Sequence, residues 1–183
     1  MSKERSQSAT EKGGVPNGPF TFPPASWLWL AVSAVVIILD WHTKQWVSDV
    51  LTLYRPQEVF SWLNMTLAHN YGAAFSFLSN AGGWQRWFFI VLASAVSIVL
   101  FFWLLRLPRR EWLTGLGLAL ILGGAIGNLV DRIRLGYVVD FIDVHIGGWH
   151  YPAFNVADSA ITCGVIILLL DAFIIGMRNR RAS

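Results

Sequence analysis

Two stretches of this chain, Trp87 to Leu105 and Trp112 to Val130, each run nineteen residues without a charged side chain. A helix rises about 1.5 Å per residue, so each could cross the roughly 30 Å hydrocarbon core of a bilayer. In lipid no water is at hand to satisfy backbone N–H and C=O groups, and helices satisfy them internally. Two weaker stretches join them. Ser26 to Leu39 is apolar and continues through Asp40 and Lys44 to about Trp46 without a small-x-small cleavage site, so it reads as an uncleaved first span. Pro152 to Met177 reads as a fourth, its uncharged core Ser159 to Leu170 bounded by Asp158 and Asp171. A hydrophobic content of 55%, a charged content of 14% and a mean hydropathy of +0.50 are too apolar for an ordinary soluble domain.

The predicted fold is therefore an all-α membrane protein with four transmembrane helices, at about 26–46, 87–105, 112–131 and 152–177. Residues 1–25, rich in Ser, Gly and Pro, are expected to form a flexible tail, and 178–183 a second short one. Three basic clusters orient the spans: Lys3, Arg5 and Lys12; Arg106, Arg109 and Arg110; Arg178, Arg180 and Arg181. Nine of the fourteen Lys and Arg then share one side, which the positive-inside rule makes cytoplasmic, with both termini. Trp27, Trp29, Trp46, Trp84, Trp87, Trp112 and Trp149 fall near the ends of apolar runs, where aromatic belts form.

The segments 47–83 and 132–151 are left on the outer face. The first carries strand-like pieces, Val59 to Leu63 and Met65 to Ala68, so a small extracytoplasmic β-rich element is expected there; the second reads as a loop. Span three holds Gly123 and Gly127 at the spacing that lets helices approach closely. The net charge of +3 is too small to argue for a nucleic-acid partner. Cys163, the single cysteine, excludes an internal disulfide and among apolar neighbours reads as a small buried residue.

With that topology, polar residues far apart in sequence converge at one depth. Asp40 and Lys44 close span one, Asn128, Asp131 and Arg132 close span three, Asn155 and Asp158 open span four, and Asp140 lies between them. Ionisable residues at membrane depth are costly and default to function. Asp40 and Lys44, four apart, suit a supporting ion pair, and Arg132 could simply pair with Asp131. Asp171 lies thirteen residues beyond Asp158, about 20 Å along a helix, and cannot join them.

Asp140, Asp143, His145 and His150 offer metal ligands, but the spacing matches no zinc pattern and no His-Glu-x-x-His occurs. There is no Gly-x-Ser-x-Gly elbow for a serine nucleophile, and the Asn64-Met65-Thr66 glycosylation triplet is given no role. Paired carboxylates remain. Two close carboxyls cannot both ionise cheaply, so one holds a proton while the other accepts one from water, which hydrolyses amides without metal or cofactor. Asn128 and Asn155 would orient such a pair, and Arg132 could hold a substrate carbonyl.

The blocks Asp40-x-x-Thr-Lys44, Asn70-Tyr-Gly-Ala-Ala-Phe-Ser76, Gly123-Gly-Ala-Ile-Gly-Asn-Leu-Val-Asp-Arg132, Gly136-Tyr-Val-Val-Asp-Phe-Ile-Asp143 and Phe154-Asn-Val-Ala-Asp-Ser159 resemble, in order, the signatures of bacterial lipoprotein signal peptidase, or signal peptidase II. The resemblance implies a membrane aspartic endopeptidase of the bacterial inner membrane. It would cut diacylglyceryl-modified prolipoproteins just before the lipidated cysteine, at the periplasmic interface. It implies Asp140 and Asp158 as the catalytic dyad, Asn70, Asn128, Arg132 and Asn155 lining the site, and Asp40, Lys44 and Asp131 supporting it. Membrane lipids and lipoprotein substrates are the expected partners; oligomeric state is left open, a monomer being compatible. Two other classes stand beside it: a proton-coupled transporter relaying protons through Asp40, Asp140 and Asp158, and a lipid-binding scaffold held by the same polar contacts.

Overall fold

A computed structural model describes residues 24–72, 83–108 and 110–182. It contains four helices long and apolar enough to cross a membrane: α1 (Pro24–Val50), α2 (Trp84–Arg106), α3 (Trp112–Arg134) and α4 (Val156–Ala182). Between them lie β1 (Gln57–Phe60), β2 (Leu63–Asn70), β3 (Val138–Ile146) and β4 (Trp149–His150), which form one antiparallel sheet in that order. The tail expected at 1–25 lies outside the described residues except for its last two positions, which belong to α1. The stretch expected as a terminal tail continues α4 as far as Ala182.

α3 is the inner helix. Of its span 56% is buried, against 28% or less for the other three. Glycine makes this possible: a Cβ on Gly123 would collide with Val36 and the Ser33 carbonyl of α1, and one on Gly164 of α4 would fall 2.6 Å from the Gly117 oxygen. Ser33 Oγ then donates to the Ala119 carbonyl across the α1–α3 contact at 2.8 Å. Trp29, Leu100, Leu104, Leu118, Ala119 and Leu122 form the apolar core of α1, α2 and α3. Trp29 is thus a core residue, whereas Trp27, Trp46, Trp84, Trp87, Trp112 and Trp149 are exposed as belt residues should be.

The expected loop at 132–151 is instead the end of α3 followed by a nine-residue strand, β3. Tyr137-Val-Val-Asp-Phe-Ile-Asp-Val-His-Ile146 is rich in β-branched and aromatic side chains, which suit a pleated, packed surface. Val139 and Phe141 of β3 pack with Leu67 of β2 against Val47 near the end of α1, and so fasten the sheet to the bundle. The fourth span starts at Val156, not Pro152, because Phe154 first bridges Ile142 as an extended residue.

One irregularity in the sheet positions the site. Leu63, Asn64 and Met65 pair with Val144, Asp143 and Ile142, but beyond a bulge Ala68, His69 and Asn70 pair with Asp140, Val139 and Val138. The extra residue in β2 shifts the register by one, and a one-residue shift exchanges the two faces of a strand. Asn64 therefore shares a face with Asp143 on one side of the bulge, and Asn70 shares a face with Asp140 on the other.

Candidate active site

Lys44 is a buried lysine, 1% exposed, near the end of α1. Its ammonium carries three donors, and all three are used: Asp40 Oδ2 at 2.7 Å, Asp131 Oδ2 at 2.9 Å and Asn128 Oδ1 at 3.1 Å. Each partner carries the constraint onward. Asp40 Oδ1 accepts the Ala157 N–H at 2.9 Å, next to Asp158, and Asp131 Oδ2 accepts the Val139 N–H at 3.2 Å, next to Asp140. Gly127 lets Asp40 in, since a Cβ there would lie 2.6 Å from Asp40 Oδ2. Arg132, one position past Asp131 on the helix, does not pair with it. The turn of about 100° per residue sends Asp131 inward to Lys44, while Arg132 reaches the Gly72 carbonyl at 3.0 Å and the Asn128 carbonyl at 3.3 Å.

Three asparagines face the two aspartates, and donor chemistry fixes how each is turned. A group that can only donate must face an amide's oxygen, which leaves the NH2 for the other side. Lys44 occupies Asn128 Oδ1, so Asn128 Nδ2 points to Asp158 Oδ1 at 2.7 Å. The Asp158 N–H occupies Asn155 Oδ1, so Asn155 Nδ2 points to Asp140 Oδ1 at 2.7 Å, with Asn128 Oδ1 and the Val139 carbonyl at 3.2 Å. The Gly72 N–H occupies Asn70 Oδ1, so Asn70 Nδ2 points to Asp140 Oδ2 at 3.0 Å.

Asn155 also starts α4. Its side chain accepts from the Asp158 N–H while Asp158 Oδ2 accepts from the Asn155 N–H at 3.4 Å, a reciprocal capping box written in Asn155-Val-Ala-Asp158.

Asp140 is 2% exposed, and burial, reinforced by the charge of Asp158, pushes its carboxyl up to about 7 despite the bonds from Asn70 and Asn155. Asp158 lines a cleft of about 510 Å³ together with Asn70, Asn128, Arg132, Tyr151 and Phe154, whereas the more deeply buried Asp140 is not part of its lining. The cleft runs along α4 past Ser159 and Thr162 to Cys163. The cysteine is exposed, not buried as its apolar neighbours suggested, because it sits on the cleft-facing surface of a helix that is mostly unburied.

Asp143 belongs to the other face of the sheet. Thr66 Oγ1 donates to it at 2.9 Å, His150 Nδ1 lies 2.7 Å away and Asn64 Nδ2 at 3.5 Å. Burial acts to raise its carboxyl, but these bonds together outweigh it and hold Asp143 below the usual carboxylate range. Asn64 and Thr66, given no role in the sequence, are therefore sheet partners of Asp143; their alternation on β2 was the available signal. Among the described residues no group of three His, Cys, Asp or Glu is arranged to hold a metal ion. Asp171 lies near the opposite end of the bundle and accepts from Thr114 Oγ1 at 2.6 Å, so the described carboxylates form no relay across the spans. Ala73 to Ser76 of the second signature block lie outside the described residues.

Residues 32–174, which include every position above from Asp40 to Asp158, match the family model for signal peptidase (SPase) II. The chain is 56% identical over 166 residues to a lipoprotein signal peptidase of Acinetobacter baumannii, covering 91% of this chain and 94% of the relative. It is 53% identical to a lipoprotein signal peptidase of Teredinibacter turnerae, over 79% of this chain and 86% of that one. A solved structure described as a bacterial membrane enzyme superposes with a TM-score of 0.74 at 31% identity, covering 84% of this chain and 91% of the other. The four apolar helices, the small sheet at one end and this match over most of the length place the chain in the signal peptidase II family, as an aspartic-type endopeptidase of the membrane.

Proposed function

We propose that Asp140 and Asp158 form one proton-sharing dyad that removes signal peptides from diacylglyceryl-modified prolipoproteins by cutting before the lipidated cysteine. The observation that carries this reading is the set of three asparagine NH2 groups, each with its oxygen held by a donor-only group, aimed at these two carboxylates. A carboxyl raised to about 7 still holds its proton in about half of the molecules at neutral pH, which suits Asp140 to the general acid. Asp158, facing the cleft, takes a proton from water as its oxygen attacks the scissile carbonyl carbon. Asp140 protonates the leaving amine as the C–N bond breaks, and the cysteine-bearing product departs with its lipid. Arg132, beside Asp158 in the cleft, holds the carbonyl oxygen as negative charge develops. Lys44, Asp40 and Asp131 position the two carboxylates without touching substrate.

The cleft's position at the helix ends suits a substrate whose acyl chains stay in one leaflet while the peptide crosses the interface. The basic residues Arg106, Arg110 and Arg180 lie toward the other end of the bundle, which by the positive-inside rule supports a cytoplasmic position for that end and a periplasmic one for the site. The test uses purified protein in detergent with a diacylglyceryl lipobox peptide and its unacylated twin, the products being weighed by mass spectrometry. Cleavage before the acylated cysteine alone, abolished in Asp158→Asn, is expected. Equal cleavage of both peptides would remove the lipid from the proposal, and an unchanged rate in Asp158→Asn would remove the dyad.

A further inference from the structure

Helix α2 lies outside the signature blocks that carry the family resemblance, yet two of its side chains converge on Arg132. Arg86 Nε donates to the Arg132 carbonyl at 2.9 Å and its second terminal nitrogen to the Ile133 carbonyl at 3.0 Å. These carbonyls fall in the last turn of α3, where a helix leaves its oxygens without intrahelical donors. Only a guanidinium carries several N–H donors in one rigid plane, so a single side chain can serve both oxygens. Arg86 also lies against Gly136, whose φ of +86° begins the turn into β3, four residues before Asp140. One helical turn along α2, the Phe89 ring lies 5.0 Å from the Arg132 guanidinium carbon, a cation–π contact. Arg86 thus holds the Arg132 backbone and Phe89 holds its charged head, while the Gly72 and Asn128 carbonyls take hydrogen bonds from the head's nitrogens.

We infer that Arg86 and Phe89 are positioning residues for catalysis, acting through Arg132, and this rests on the role given to Arg132 in the proposed function. Their effect should appear in turnover more than in substrate affinity, because misplacing a group that meets developing charge weakens the transition state selectively. The experiment is a double-mutant cycle in detergent on the diacylglyceryl lipobox peptide, measured at steady state with substrate in excess: Arg86→Gln and Arg132→Gln, alone and together. Arg86→Gln is expected to lower kcat by about 10- to 100-fold with KM moving less than about threefold. In the Arg132→Gln background the same change should cost less than about threefold, since the carbonyls that Arg86 holds remain but the guanidinium through which it acts is gone. Arg86→Lys should recover part of the loss. Phe89→Leu should reproduce the kcat defect and Phe89→Tyr should not. Phe89→Leu leaves both carbonyl bonds in place, so it carries the same cycle if Arg86→Gln does not fold. An equal loss in both backgrounds, or wild-type kcat in Arg86→Gln and Phe89→Leu, would overturn the inference. Wild-type kcat in Arg132→Gln alone would overturn the role given to Arg132, and the inference with it, while leaving the aspartate dyad intact.

Discussion

Asp140 and Asp143 stand three residues apart on β3, and their environments drive them in opposite directions. Asp140 turns toward Asn70 and Asn155 and is pushed up to about 7 by burial and by Asp158; Asp143, on the opposite face of the strand, is held below the usual range by His150, Thr66 and Asn64. Both show little surface and both accept hydrogen bonds from two or more side chains. At Asp140 burial outweighs those bonds and a second carboxylate adds to it; at Asp143 the bonds outweigh burial and no like charge adds to it. A like charge nearby makes ionisation costly where neutral donors make it cheap, and the odd spacing across the bulge of β2 gives each aspartate its own set.

The largest expected effect falls on the Asp140 side. Lys44→Met would leave Asp40 and Asp131 buried without their cation and free Asn128 to turn, costing about 3–5 kcal/mol of stability and most of the activity, read by thermal melting and by cleavage in detergent. An unchanged melting temperature would mean that the two carboxylates are not buried as ions.

The pH dependence separates the faces further. As the proposed general acid Asp140 must hold its proton, so cleavage should fall toward about tenfold per pH unit once the pH rises past about 7, and Asp143→Asn should leave that limb in place. For stability the signs oppose each other. An Asp140 raised in the folded state loses stability as pH rises from the ordinary carboxylate range to about 7, because the unfolded chain releases its proton first. The melting temperature of Asp140→Asn relative to wild type should therefore climb between about pH 4 and about pH 7 and level off above it. Asp143, lowered in the folded state, contributes stability above its ordinary value and loses it as pH falls through its depressed one. Asp143→Asn should thus gain on wild type only at acid pH. Parallel curves for the two variants would abolish the distinction.

The smallest effect is on the Asp143 side alone. Thr66→Val removes one donor to a carboxylate that keeps His150 and Asn64, and should cost about 1–2 kcal/mol with cleavage nearly unchanged.

The helices were legible because nineteen charge-free residues admit few other folds, and Asp40, Lys44, Asn128, Asn155 and Asp158 could be placed together once the spans were oriented. Strand β3 was not, although its β-branched run was visible, because its partner β2 lies some seventy positions away and a pairing across a helix pair leaves no local trace. The bulge that turns Asn70 toward Asp140 arises only when the two strands meet. Arg86 stands at the edge of a charge-free run, where a cation is ordinary, and nothing in the sequence connects it to the last carbonyls of α3. Cys163 was misjudged because apolar neighbours on a lipid-exposed helix do not imply burial.

The comparison of the two strand aspartates comes down to one assay, cleavage of the diacylglyceryl peptide by Asp140→Asn and Asp143→Asn in the same detergent. Loss of a carboxylate of the proposed dyad should cost at least about 1,000-fold in kcat, and Asp143→Asn less than about tenfold. Equal losses in the two variants, or a wild-type rate in Asp140→Asn, would contradict the division of labour between the two faces of β3.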